Sequence, residues 1–320
     1  MDQNKPLVTV LTLSYKSPDL IGSINSVLSQ TYPKIQFVIV DDGTEEFDKE
    51  EIEQHIRSKQ RENIVDLKII KNIENLGTVK TANIGMSNAS GEIVFNLAGD
   101  DQFSDDKVLE DWVNAFNETR AEIMTARRDV YDEWLEEKLY TDPSSREIEY
   151  IVNYDSKSLF EKIGSKNIIF GCSTAQTLKL YKKFGPYNEA YKLVDDHPYT
   201  LKLLRENIKI HFFDRVVVKY RQGGISYSPN INEVYYKDAD NILINEVLPY
   251  TNNPERVKRE YKSWKKEMEW GHKAVGLRRK EKRYKNNKIK LFLVRAMYGL
   301  RYPSRVFKKI KNCTIKNKGS

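Results

Sequence analysis

Along the first hundred residues, short apolar runs alternate with stretches in which apolar residues return every three or four positions. The run from Leu7 to Leu13 predicts a strand, and "SPDLIGSINSVLSQ" behind it predicts a helix, with Ser17 as N-cap and Pro18 at the first helical position. The same alternation continues with a second strand at 34–40, a polar helix at 48–59, a third strand at 66–70, a helix at 78–89 and a fourth strand at 92–97. The inner strands are continuous Val/Ile runs rather than one-in-two patterns, so both of their faces are expected to be buried, as in a parallel sheet covered by helices. Ligands of such sheets bind beyond the carboxyl ends of the strands, where the strand order switches. Each of these strands ends in polar residues: "TLSYKS", "VDDGTEE", "KNIENLGTVKTANIG" and "AGDDQF". Four chemically loaded loops are therefore expected on one edge.

After Asp106 the pattern loosens. A charged, hairpin-like insertion is expected around 132–150, a helix near Ser156–Lys162, two helices joined by a Gly-Pro loop within 171–207, and a strand at 209–220. From about Asn230 the chain reads helical, with no internal repeat.

Composition adds a polarity along the chain. Residues 271–320 hold 17 Lys and Arg against one acid, Glu281, so an acidic body carries a basic tail. Two cysteines, Cys172 and Cys313, lie far apart without metal-site spacing, which argues for a reducing cytosol and against a disulfide framework or zinc site. No apolar run is long enough to span a bilayer, and the N-terminal run has neither the flanks nor the cleavage pattern of a signal peptide.

The candidate chemistry lies in the acids at the strand ends. Adjacent carboxylates such as Asp100-Asp101 repel one another and are costly to desolvate, so a cation, a hydrogen-bond donor or open water is expected beside them. The acids of "VDDGT" could accept an N–H of a nucleobase, or could sit in a solvated turn. Lys80 carries a charge that could bind an anion or remain solvated. Asp195 and Asp196, in "LVDDHPYTLKLL", could serve as a base or merely favour a helix N-terminus through its dipole.

The order of "VLTLSYKSPDLIGSINSVLSQTYPKIQFVIVDDGT", "NLGTVKTANIGMSNASGEIVFNLAGDD", "GPYNEAYKLVDDHPYTLKLL" and "YRQGGIS" resembles family 2 glycosyltransferases of the GT-A fold, over roughly residues 5–228. The resemblance implies a Rossmann-like, mixed but mostly parallel sheet flanked by helices, with a helical, basic C-terminal extension. It divides the chain into a donor-binding half at 1–105, an acceptor-binding half at 106–228 and the extension at 229–320.

The resemblance further implies an inverting transfer of a sugar from a nucleotide-diphosphate sugar, UDP-linked by expectation, in cell-surface or capsular polysaccharide synthesis. The donor would be met by Thr12, Ser14, Tyr15, Asp41 or Asp42, Gly77, Lys80, Asn83, Asp100, Asp101 and Arg221. Asp100 would hold Mn²⁺ or Mg²⁺. "LAGDD" carries Ala98 where relatives have the first acid of a DxD motif, which should weaken metal binding in the absence of nucleotide. Asp196 would be the catalytic base, with Gly171, Ser173, Asp195 and His197 on the acceptor side; His197 also reads as a packing residue. A glycan or polyprenyl-linked acceptor is implied, and oligomeric state is left open, a homo-oligomer included. The tail, with Leu291, Phe292 and Val294 among lysines and arginines, reads as a peripheral contact to anionic lipid on the inner face of the plasma membrane, with a packed helix as the other account; nucleic acid is not expected. A non-catalytic scaffold of this fold and a nucleotidyltransferase are the competing functions.

Overall fold

The structure is a computed structural model that describes residues 5–59, 62–224, 232–284 and 286–301; the readings of Ile225, Ser226, Cys313 and the stretch 302–320 lie outside these residues. The three expected strand-helix repeats and the fourth strand are present. β1 (Val8–Ser14), β2 (Ile35–Asp41), β3 (Ile64–Lys71) and β4 (Ile93–Ala98) are joined through α1 (Leu20–Leu28), α2 (Lys49–Lys59) and α3 (Thr78–Asn88). They lie in the order β3-β2-β1-β4, all parallel. The order reverses between β1 and β4, so a crevice is expected beyond Ser14 and Ala98. Register sets Ser14 beside Asp41 and Leu13 beside Ala98, which brings three polar strand ends into one row.

Beyond β4 the sheet becomes mixed. β5 (Gln102–Phe103), β6 (Ile123–Tyr131), β7 (Lys138–Asp142), β8 (Thr174–Thr177) and β9 (His211–Arg221) complete nine strands among the described residues. β8 is antiparallel to β4 and to β6, whereas β9 runs parallel to β6 and pairs with β5. Because β9 passes β5, which directly follows the Asp100-Asp101 turn, its last residue Arg221 arrives at that turn.

Alternate residues of the strands feed two cores. On one face Val8, Val10, Phe37, Ile39 and Phe95 pack with Ile24 and Val27 of α1, Ile56 of α2 and Trp112 of α4 (Val108–Thr119). On the other, Leu11, Val38, Val40 and Val94 pack with Val79, Ala82 and Met86 of α3. That second core also takes in α6 (Ser156–Ile163), α8 (Asp196–Arg205) and α9 (Glu233–Ile242). Removing a fully buried side chain such as Leu11 down to Ala typically costs about 2–5 kcal/mol.

Several sequence expectations are corrected. Ser17 does not cap α1: Asp19 does, its Oδ1 accepting from Gly22 N at 3.1 Å, so Pro18 stands outside the helix. The charged segment near 132–150 is a hairpin only as far as β7, and α5 (Ser145–Asn153) follows, started by a capping box between Ser144 and Glu147. Strands β5 and β8 were not expected; two and four residues long, they are too short to display a period. The two expected helices about the Gly-Pro loop are α7 (Leu178–Phe184) and α8.

The residues up to Gly224, together with Asn232–Trp264, form one compact unit, and those from Lys265 onward belong to a second. α10 (Pro254–Arg283) runs through both ranges, and α11 (Lys288–Arg301) lies in the second. Among the described residues no helix is long and apolar enough to cross a membrane.

Candidate active site

The two acids that close β2 have different surroundings. Asp42 is 4% exposed, and its carboxylate accepts from Asn72 Nδ2 (3.0 Å), Leu76 N (2.8 Å), Gly77 N (2.9 Å) and Thr81 Oγ1 (2.7 Å). It therefore holds the turn between β3 and α3. Asp41 is fully buried; its Oδ2 accepts from Thr44 N at 2.7 Å, while Oδ1 has no partner. The hydroxyl of Thr12, on the same face of neighbouring β1, is also buried without a partner. Buried polar atoms are nearly always bonded, so two such atoms on adjoining strand ends indicate a place for a ligand's donor and acceptor groups. Gly43 makes this edge possible: it has φ 78°, and a Cβ there would fall 2.5 Å from the carbonyl carbon of Glu74.

The rest of this edge mixes open and buried positions, Ser14 being only 4% exposed. Tyr15 is 45% exposed, Ser14 Oγ lies 3.3 Å from Ser17 Oγ, and Lys80 is exposed on the first turn of α3. Asn83 does not join this edge. Its Nδ2 donates to Tyr187 O and Glu189 Oε1, and its Oδ1 accepts from Tyr181 Oη and Tyr187 N, so the amide's hydrogen-bonding capacity is used to tie α3 to the 181–189 segment.

At the end of β4, Asp100 is half-buried and Asp101 is fully buried. Desolvation pushes both carboxyls up, and the charge of Asp100 pushes Asp101 further. Asp101 Oδ1 accepts from Arg221 N at 2.8 Å, while its Oδ2 is buried without a partner. The Arg221 guanidinium is committed within the chain: Nε donates to Asp100 O, Nη1 to Glu133 O and Nη2 to Asp19 Oδ2 at 2.6 Å. Asp19 thus caps α1 and anchors the end of β9. Gly224 stands over Asp100, for a Cβ there would be 3.5 Å from Asp100 Oδ2.

A second acidic pair opens α8. Asp196 Oδ2 accepts from Gly171 N (3.0 Å) and Asn167 Nδ2 (3.2 Å), and Oδ1 from His197 N (2.6 Å). These three donors orient the carboxyl group. Burial, followed by the charge of Asp196, pushes its neighbour Asp195 up to about 7. Both acids line a small cavity of about 20 Å³ with Asn96, Gly171, Tyr187 and Tyr199, about enough for one water. Ser173 is fully buried and bonds back to Phe170 O. The His197 ring is turned to the end of α6, its Nε2 3.0 Å from Ile163 O, and burial lowers its pKa.

Arg128 on β6 packs against the rings of Phe170 and Tyr220 and was missed in the sequence, because "ARRD" follows no known spacing. It is 5% exposed, its guanidinium carbon lying 3.6 Å from the centre of the Phe170 ring and 4.2 Å from that of Tyr220. Phe170 begins the turn whose Gly171 holds Asp196; Tyr220 precedes Arg221, which holds Asp101. The cation is poorly paired, with Cys172 Sγ at 3.5 Å, Asp142 Oδ2 at 3.3 Å and Nε without a partner.

With this geometry in place, comparison with known proteins is informative. A model described as "Glycosyl transferase family 2" matches residues 9–182. An uncharacterized glycosyltransferase of Rickettsia felis is 27% identical over 262 residues, covering 80% of this chain and 40% of that protein. The putative teichuronic acid biosynthesis glycosyltransferase TuaG of Bacillus subtilis is 33% identical over 105 residues, 32% of this chain and 40% of its own. The chain thus spans about two fifths of the length of these two relatives. Among solved structures, S. aureus TarS 1–349 in complex with UDP-GlcNAc superposes with TM-score 0.58 at 17% identity, covering 80% of this chain and 70% of that one. The mannosyltransferase PcManGT from Pyrobaculum calidifontis, in complex with GDP-Man and Mn²⁺, superposes with TM-score 0.58 at 14% identity, covering 97% and 85%. The curled, mostly parallel sheet is of the GT-A kind, and the chain belongs to glycosyl transferase family 2.

Proposed function

We propose that this protein transfers a sugar from a nucleoside-diphosphate sugar, UDP-linked, to a hydroxyl of a growing cell-surface polysaccharide, with inversion at the anomeric carbon. The observation that carries this reading is the pairing of the partnerless Asp41 Oδ1 and Thr12 Oγ1 with Asp100, on neighbouring strand ends of one edge. A uracil N–H suits the Asp41 oxygen, whereas Asp100 suits a diphosphate only through a divalent cation held between the two anions. The complexes of TarS with UDP-GlcNAc and PcManGT with GDP-Man support a nucleotide-sugar donor.

The acids at the end of β4 fit a hard divalent cation that arrives with the nucleotide. They offer one half-buried carboxylate, Asp100, and one buried, partnerless carboxylate oxygen, Asp101 Oδ2. Among the described residues no group of three His, Cys, Asp or Glu could hold a metal, so phosphate oxygens and water would complete the shell. When bound, such a cation neutralises charge on the departing diphosphate. The remaining chemistry belongs to the chain. Asp196, oriented by its three donors, accepts the proton of the acceptor hydroxyl as that oxygen attacks the anomeric carbon. The bond to the diphosphate breaks with its electron pair leaving on the phosphate oxygen. A positioned base of this kind typically contributes about 10²–10⁴ in rate.

The acceptor is proposed to be lipid-linked and reached at the inner membrane surface. On α11, Ile289 (75% exposed), Phe292 (70%) and Leu293 (51%) expose apolar side chains within a basic segment, as adsorption to anionic lipid requires.

The test is a panel of nucleotide sugars with Mn²⁺, read by binding and by the small product released on turnover. Release of nucleoside diphosphate supports the proposal. Release of pyrophosphate would assign a nucleotidyltransferase, and donor binding with no turnover would leave a scaffold.

A further inference from the structure

α9 lies beyond the residues matched by the family model, and one of its side chains reaches into the catalytic half. Asp238 is 5% exposed, and its Oδ2 accepts from three successive backbone N–H groups: Lys192 at 2.8 Å, Leu193 at 2.6 Å and Val194 at 3.3 Å. Consecutive amides that converge on one oxygen form an anion-holding nest, which fixes the dihedral angles of the segment that makes it. The two residues that follow are Asp195, the N-cap of α8, and Asp196, its first residue. With 192–194 fixed, the start of α8 and the direction of its first carboxylate are fixed as well.

The opposite side of the same segment rests on the donor edge. Lys192 O accepts from Val79 N at 3.2 Å, and Gly77, at φ 90°, touches Lys192 so closely that a Cβ would lie 2.5 Å from its Cγ and 2.6 Å from its carbonyl oxygen. Asp42 holds the amides of Leu76 and Gly77 from below. A continuous line of contacts therefore runs from Asp42 through the Gly77 turn and Lys192 to Asp238. The strand-end acid of the donor half and a helix beyond the matched region clamp the segment that presents Asp196.

We propose that Asp238 is a positioning residue for glycosyl transfer, aligning the Asp195-Asp196 pair through the nest at Lys192–Val194. Its role rests on Asp196 being the base. The charge of Asp238 is used within the fold and touches neither substrate nor reacting atoms. A base displaced by about 1 Å loses on the order of 10²-fold in rate, while nucleotide affinity, set at Thr12 and Asp41, is spared.

The experiment uses residue-resolved amide exchange on the full chain carrying Asp238→Asn or Asp238→Ala, alongside kcat for transfer and the Kd of UDP with Mn²⁺. The informative amide is that of Gly171, which donates to Asp196 Oδ2 and reports the place of that carboxylate without any need for turnover. Faster exchange is expected at Lys192, Leu193 and Val194, and also at Gly171, by about tenfold or more in Asp238→Ala and less in Asp238→Asn. The transfer kcat should fall by on the order of 10²-fold in the Ala variant, with the UDP Kd within about threefold of wild type. Unchanged Gly171 exchange beside accelerated Lys192–Val194 would show a purely local cap and overturn the proposal. Should Asp238→Ala not fold, Asp238→Asn, with the same size and one acceptor retained, gives the same readout. If the wild type transfers no sugar, the proposed function fails, whereas the Gly171 exchange still decides whether Asp238 positions Asp196.

Discussion

Asp41 and Asp42 are neighbours of one residue type with different hydrogen-bond partners, and under the proposed function a matched pair of alanine variants separates their duties. Asp42→Ala removes an acceptor of four hydrogen bonds. Asn72 and Thr81 keep each other, at 3.0 Å, but the amides of Leu76 and Gly77 lose the carboxylate. Each polar group stranded in this way costs about 1–3 kcal/mol, so a loss of about 3–5 kcal/mol in folding stability is expected once the charge-assisted bonds are included. At about 2–4 °C per kcal/mol for a unit of this size, the melting temperature should drop by roughly 10 °C. Asp41→Ala gives up one bond, from Thr44 N, and removes a carboxylate oxygen that is buried unpaired, so its stability should change by no more than about 1 kcal/mol. Its effect should fall on nucleotide binding, where a lost hydrogen bond to a charged group, about 1.5–3 kcal/mol, weakens UDP roughly 10- to 150-fold. Calorimetric titration with UDP and thermal unfolding of both variants are sufficient. Equal loss of UDP binding in the two at unchanged stability would refute the division, as would an Asp42→Ala protein that melts with the wild type.

Arg128→Met should reduce transfer by on the order of 10²-fold, because the turn holding Asp196 and the strand holding Asp101 both stack on the guanidinium; folding stability should fall as well, by about 3–5 kcal/mol, since removing one partner of a buried ion pair leaves Asp142 uncompensated. Wild-type kcat in that variant would remove Arg128 from the site. Asp195→Asn should stabilise the protein at pH 8 and not at pH 4: the folded carboxyl titrates at about 7 and the unfolded one near the usual ~3.9, so the folded state holds an extra proton and loses stability as pH rises through that window, by no more than about 4 kcal/mol. Unfolding curves of both proteins across that range check the sign. Phe292→Ser with Leu293→Ser should weaken adsorption to anionic vesicles about tenfold or more, and equal adsorption by variant and wild type would end the membrane proposal.

The parallel half of the fold was readable because β1, β2 and β4 are buried on both faces and therefore written as mostly apolar runs, interrupted within the strands only by Thr9, Thr12, Gln36 and Asn96. β5 and β8 were hidden, since Gln102-Phe103 and the Thr174–Thr177 run hold their places through pairing with distant strands rather than through a local pattern. The row of strand-end acids followed from the topology. What each acid does depends on partners far along the chain: Asp42 is occupied by Leu76 and Gly77, and Asp101 by Arg221. For the same reason Asn83, expected at the donor, is bound to Tyr181, Tyr187 and Glu189 instead. Arg128 and Asp238 belong to no spacing rule, and only the folded chain brings them to Phe170, Tyr220 and the 192–194 amides.

The central claim is that Asp196 takes the proton from an acceptor hydroxyl while the strand-end acids handle the donor. It is tested most directly by the rate of nucleoside diphosphate release in the presence of acceptor, at saturating donor, for the wild type and for Asp196→Asn. The account predicts a fall of about 10²–10⁴ in that rate with UDP affinity unchanged, because the amide cannot accept the proton and lies away from the Thr12 and Asp41 edge. Release by Asp196→Asn at the wild-type rate would contradict it.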